Sequence, residues 1–458
     1  MEIQKEVSCP FSWTFAILDP VRVKSDGKPS CMRIGYFVWE YPPSLVGGLG
    51  TYSEYITVEY IRTGNDVSVY TLNRGETEHE VRNGVDVYRP KLLDATPVFF
   101  PSMLSDELKK WGDGLKFYAN IFSYNLAVSN LFVQQHVRKE GVKFDIVAGH
   151  DWLSAPAAML AKKELGLPFV FHVHSTEWGR SGEHASKTVM EIEEIAKDQA
   201  DRVITVSNAM KEDLVKHGWP ANKISVVWNG VDPDLYDPTR YPKEEAEAIR
   251  KKYGIKDDEK MLLFVGRLTW VKGIKNLVLA MPSVVKEHPE AKLVILGIGE
   301  QQKELQETVQ KLGLEKNVTF RFDFVGERER ILHYAASDLC IFPSVYEPFG
   351  IVSLEAMAME KPVVVGAVGV VGFKEQVINK GKDKCGTHVN GNSPESIAKG
   401  INEILKDPEK MKKMGKMGRK RVLKEFTWRV VSQKTLSIYQ DVIEKAQPKT
   451  EGVPPPTA

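Results

Sequence analysis

Glu347 and Glu355 stand eight positions apart in YEPFGIVSLEA, around a Pro348-Phe349-Gly350 turn that leads into an apolar, helix-like run. Pro348 and Gly350 end the preceding apolar stretch DLCIFPS. Glu347 is therefore expected on the loop, and Glu355 inside the following helix near its positively polarised N-terminus. Two carboxylates at such a junction suit a sugar or nucleotide, with a phosphate at the helix end. An isolated pair of this kind is more simply a solvated loop and a helix surface, so its weight comes from the motifs around it.

Three other segments supply those motifs. In VGRLTWVKGIKN, Arg267 offers a planar fork for phosphate oxygens and Lys272 a compact charge on a flexible stem. Together they could neutralise a departing diphosphate, or simply be two solvated cations at a helix start. In VGGLGTY, Gly47, Gly48 and Gly50 permit close backbone approach ahead of a helix whose free amides would face an anion. That turn lacks a dinucleotide spacing and the Gly-Lys-Ser/Thr ending of a triphosphate loop.

The third set holds histidines. GHDWLSA carries His150 and Asp151, and FHVHSTEWG carries His172, His174 and Glu177. His172 and His174 share a strand face, which raises a metal reading. No further ligand has dependable spacing, so no metal is expected and buried, hydrogen-bonded histidines are the simpler outcome. Asn229, Gly230 and Asp232 in VVWNGVDPD make a turn, and Asp232-Pro233-Asp234 belongs to it rather than to an Asp-x-Asp metal motif.

Positioning these residues falls to alternating apolar runs and helix-length segments, the pattern of parallel sheets, and it occurs twice. RIGYFV, DVSVYT, DIVAGH, PFVFHV, RVITVS and ISVVWN form the first set, with helices expected at 51–62 and 185–199. MLLFVG, KLVILG, NVTFRF, DLCIFP and PVVVG form the second, with helices at 273–286 and 302–312. DPDLYDPTRYPKEE lies between the sets as a linker. The fold class is α/β, with two Rossmann-like parallel-sheet domains facing a cleft, where ligands bind at the carboxyl ends of strands. The expected division is a 1–31 extension, a first Rossmann-like domain at 32–235 and a second at 236–426. A helix at 427–446 packs back on the first domain, and 447–458 is a disordered tail.

The 458 residues exceed a single core, and 62 basic against 61 acidic side chains argue against nucleic acid or an anionic membrane as principal partner. The basic run at 410–424 recurs with helical apolar spacing, as a solvated packing helix does. Cys9, Cys31, Cys340 and Cys385 show no paired spacing, favouring reduced thiols and a cytoplasmic location. No apolar run is long enough to span a bilayer, and the opening residues make a poor signal peptide.

In order, WEYPPSLVGGLG, HDW, FHVHSTEWG, ITVSNAMKEDL, WNGVD, GRLTWVKG and EPFGIVSLEAMAMEKPVVV resemble a GT-B type retaining glycosyltransferase of family 4, similar to glycogen and starch synthases, over residues 32–445. The resemblance implies that a nucleotide-sugar donor is held mainly by the second domain and a carbohydrate acceptor by the first. It makes His174, Arg267, Lys272 and Glu347 the catalytic set, and implies donor contacts from Gly47, Gly48, Asp151, Asn229, Phe349, Gly350, Ile351 and Glu355. Arg267 and Lys272 would bind the diphosphate, Glu347 the sugar hydroxyls and Glu355 the ribose. It implies glucose transfer from ADP- or UDP-glucose to an α-glucan, with no cofactor.

Two departures stand out: Leu45, where starch-type synthases often carry Lys, and Val370, where a second glycine is common. The aromatic segment at 98–125 is either an acceptor surface or a core helix with its loop. Alternatives are synthesis of a small glucoside or disaccharide, a metal-dependent hydrolase built on His172 and His174, a nucleotide-sugar epimerase, and a non-catalytic sugar-binding regulator.

Overall fold

A computed structural model describes residues 31–44, 47–94 and 114–446. The extension before Cys31, Leu45, the aromatic segment before Gly114 and the tail at 447–458 lie outside the described residues.

The first sheet contains β1 (Arg33–Phe37), β2 (Asp66–Tyr70), β3 (His79–Arg82), β4 (Val85–Tyr88), β5 (Ile146–His150), β6 (Phe169–Val173), β7 (Arg202–Thr205) and β8 (Ile224–Val226). Their order is β3-β4-β2-β1-β5-β6-β7-β8. The second contains β9 (Lys260–Val265), β10 (Ala291–Leu296), β11 (Val318–Arg321), β12 (Leu339–Phe342), β13 (Val363–Gly366) and β14 (Gly386–Val389), in the order β11-β10-β9-β12-β13-β14. The central strands are buried on both faces, and apolar apart from His150 and His172, because helices cover each side.

Three strands depart from the sequence expectation. β3 and β4 form an antiparallel hairpin, so the first sheet is mixed rather than wholly parallel. Its turn is Asn83-Gly84, both with positive φ, which is the hairpin signal for a two-residue connection. No apolar run marks the hairpin in the sequence, because HEVR is polar and half exposed. β14 follows the polar run GKDKC and, as the four residues GTHV, presents no apolar run in the sequence.

Strand order reverses beside β1 and β5 in one sheet and beside β9 and β12 in the other, the places where open sheets leave a crevice. The glycine loop follows β1, His150 ends β5, the Arg267 loop follows β9 and the Glu347 loop follows β12. The β5–β6 register sets His150 beside His172. Apolar packing then joins the halves: Ile351 packs on the first domain's core, and Val370 on its other face. Helix Trp428–Ala446 packs against helix Gly48–Arg62, with Trp428 stacked on Tyr55 at 5.6 Å. Gly230 makes that crossing possible, because a Cβ there would lie 2.8 Å from the Trp428 backbone nitrogen. Among the described residues no helix is long and apolar enough to cross a membrane, and Cys31, Cys340 and Cys385 are free thiols.

Candidate functional site

Arg267 follows Gly266 at the end of β9, is exposed, and has no hydrogen-bond or ion-pair partner among the described residues. Lys272 closes the same loop, and its ammonium pairs with the Glu347 carboxylate, which is buried. Backbone bonds weld the two loops: Val345 N–H donates to Val271 O at 2.9 Å, and Tyr346 N–H to the same oxygen at 3.3 Å. Gly273 lets them approach, since a Cβ there would run into the Pro343 carbonyl. On its other side Glu347 pairs with the loop after β13, donating to Val370 O at 2.9 Å and accepting from Gly372 N–H at 2.8 Å. Val370, the departure from the usual glycine, thus has a structural reason: its side chain is spent on the first domain's core.

Phe349 is buried, and its carbonyl accepts from Gln376 Nε2 at 2.7 Å. Gly350 has φ 84° with Phe373 and Glu347 crowding its α-carbon, so a side chain is excluded twice over. Helix Ile351–Ala358 starts there, and Ile351 Cδ1 faces the Gly48 position of the other domain at 4.0 Å. Two helix N-termini therefore meet across the cleft. Gly47 N–H donates to Glu40.

Glu355 lies inside that helix and is 5% exposed. Its oxygens accept from Tyr236 OH at 2.9 Å and Tyr334 OH at 2.8 Å, with Arg330 at 3.3 Å. Burial and the Glu355 charge push both phenols well above their usual range, while Glu355 raises the Arg330 guanidinium. Nearby Glu327 is raised by burial, Arg330 opposing. The carboxylate thus enters the cleft ready-oriented, at a small recess it shares with Thr51, Tyr55 and Trp428.

In the first domain, Asp151 takes up φ 53°, a left-handed conformation that Asp tolerates better than most residues. Its Oδ1 accepts from His174 N–H at 2.7 Å and Ser175 N–H at 3.4 Å, so Asp151 holds the His174 loop. His150, His172 and His174 form one group, all pushed below the ordinary histidine range by burial first. Asn229 is buried, and its Oδ1 has no partner among the described residues.

Residues absent from the sequence expectation tie the domains together. Tyr346 reaches across to Thr176, its hydroxyl 3.4 Å from both the backbone nitrogen and Oγ1, and its ring fills the space left by Gly179. Glu375 caps helix Asn208–Lys216 from the other domain: it accepts from Asn208 N–H at 3.0 Å, Ala209 N–H at 2.8 Å and Trp228 Nε1–H at 3.0 Å. Nothing in the sequence pairs these residues, although Tyr346 adjoins Glu347.

Residues 46–235 match the family described as Glycosyltransferase Family 4, and 245–421 that of Glycosyl transferases group 1. The chain is 34% identical over 422 residues to an uncharacterized glycosyltransferase of Methanocaldococcus jannaschii, covering 90% of this chain and 99% of that one. It is 28% identical to a glycogen synthase of Mycobacterium tuberculosis, covering 89% and 94%. Anabaena HepE, solved in complex with UDP and glucose, superposes with a TM-score of 0.68 at 21% identity, covering 90% of this chain and all of that one, a likeness of fold.

Proposed function

The chain belongs to the glycosyltransferases with family 4 and group 1 domains, and on that premise we propose that this hexosyltransferase moves glucose from ADP- or UDP-glucose to an α-glucan with retention of configuration. One observation carries the proposal. An unpaired guanidinium, an ammonium held by a carboxylate and two helix N-termini converge on one cleft between the domains.

Loss of a nucleotide diphosphate builds negative charge on the leaving oxygens, and fixed cations and amide dipoles stabilise that charge without reorganising. Arg267 and Lys272 take that task. Glu347, adjacent to Lys272, accepts from the sugar hydroxyls, and Glu355, oriented by Tyr236 and Tyr334, accepts from the ribose. His174 donates to the sugar, and the unpartnered Asn229 Oδ1 is an acceptor for a ligand hydroxyl. The acceptor hydroxyl attacks from the face that the diphosphate leaves, its proton passing to the departing diphosphate oxygen, and the scheme needs no metal ion. The glycogen synthase similarity supports a glucan product, and the structure solved with UDP and glucose supports a uridine donor.

The test is Arg267→Ala and Lys272→Ala in separate proteins. Each is expected to lose transfer rate equivalent to about 2–4 kcal/mol, by analogy with a lost oxyanion donor. Wild-type turnover in both would refute the assignment.

A further inference from the structure

His150 is wholly buried at the end of β5. Tyr36 covers one face of its ring at 4.1 Å and His172 stacks at 4.3 Å with 27° between the planes. His172 is in turn fixed by Tyr439 on the last helix, whose hydroxyl lies 2.7 Å from Nε2. The edge of the His150 ring carries the remaining chemistry: Nδ1 lies 3.1 Å from His174 Nε2, and Nε2 is enclosed without a partner among the described residues.

The ligand nitrogens of the three rings lie within 4.8 Å of one another, but His150 Nδ1 and His174 Nε2 face each other at hydrogen-bond distance. The His150 and His174 centroids are 5.4 Å apart with 29° between the planes, so the nitrogens meet edge to edge along one N–H···N line. Such a bond has one donor and one acceptor, and a neutral imidazole has one N–H. If His174 Nε2 donated, the proton of His150 would sit on Nε2 as a buried donor with no acceptor. If His150 Nδ1 donates, Nε2 is left only with an unused lone pair. Orphaned buried N–H groups are the rarer and costlier arrangement, so the second state is favoured.

We infer that His150 is a positioning residue that fixes His174 as its Nδ1–H tautomer, presenting the cleft with a hydrogen-bond donor for an acceptor oxygen of the donor sugar. The sugar contact rests on the functional reading above; the tautomer does not. Asp151 completes the arrangement by fixing the His174 backbone, while His174, unlike the two histidines beneath it, is only half-buried.

The experiment is two-bond ¹H–¹⁵N correlation NMR on the full chain labelled at its ten histidines, with His174→Gln identifying the signal. Wild type should show a protonated Nδ1 and a bare Nε2 at His174. His150→Phe, with its fold checked by circular dichroism, should lose that single tautomer. His150→Asn, whose amide can donate from near the Nδ1 position, should restore it. With UDP-glucose as probe, kcat/KM should fall about tenfold in the Phe variant, the worth of one neutral hydrogen bond, and recover in the Asn variant. An Nε2–H tautomer in wild type, or a His174 signal indifferent to His150→Phe, overturns the inference. The expected tautomers in a protein that turns over no nucleotide sugar would support the inference and count against the functional reading alone.

Discussion

Gly179→Ala is the smallest change that should misalign the two halves of the site. Gly179 lies in the short helix Glu177–Ser181 without a positive φ, so alanine meets no backbone strain and the effect is steric. A Cβ there would lie 2.1 Å from Cζ of Tyr346 and 2.2 Å from its Cε2 and hydroxyl. Reaching ordinary van der Waals separation requires a displacement of more than 1 Å, roughly, in a closely packed site. Either the ring shifts or the domains part. A shifted ring carries strain of about 1–3 kcal/mol and pulls on Glu347, the next residue, and hence on its pair with Lys272. A misplacement of about 1 Å costs up to ~100-fold in rate. The assay is kcat and KM with UDP-glucose for Gly179→Ala, Tyr346→Ala and the double variant. Gly179→Ala should lose about 10- to 100-fold, chiefly in kcat, with Tm lowered by roughly 2–8 °C from the strain. In the Tyr346→Ala background the added methyl should cost nothing further, because the ring it strikes is gone. Wild-type kcat/KM in Gly179→Ala, or an undiminished methyl penalty without Tyr346, would refute the reasoning.

Two further variants test buried charge. Glu355→Ala removes the acceptor of two buried phenols and the partner of Arg330, which should cost about 3–5 kcal/mol and lower Tm by roughly 10 °C in calorimetry; a Tm within 2 °C, roughly, of wild type would contradict the ion-pair account. Glu193 is 2% exposed and burial pushes its carboxyl up to about 8, against the nearby Arg180. The folded state therefore holds this proton more tightly than the unfolded one: the contribution is fully present below the unfolded pKa of about 4.3 and is lost as pH rises towards 8. Glu193→Gln should thus gain stability over wild type between pH 5 and 8, approximately, and hold a constant advantage above that range in urea unfolding; a pH-independent difference would contradict it.

Much of the fold was legible because central parallel strands are apolar on both faces: β5, β6, β12 and β13 announce themselves as runs. β3 is polar and half exposed, so no apolar run announces the hairpin, whose one local signal is its Asn83-Gly84 turn. At the candidate site, residues that share one loop could be placed from sequence, as with Arg267 and Lys272 or Glu347 and Gly350. Contacts between distant segments could not. Tyr236 and Glu355 are 119 positions apart, and Glu375 and Asn208 are 167 apart. The first pairing depends on how the segment after the linker packs on the second domain, and the second on how the two domains dock; no local pattern encodes either. Glu355 illustrates the limit: its place in the helix followed from sequence, but the arginine and tyrosines that occupy its carboxylate did not.

The central claim is that this cleft transfers a sugar from a nucleotide to an acceptor. The direct measurement is nucleotide release by the purified chain, without added metal, from ADP-glucose and UDP-glucose, each with and without glycogen or small sugars. The predicted result is release that depends on the acceptor and persists in chelator. Release from no pairing, or release abolished by chelator with bound metal recovered from the protein, would contradict it.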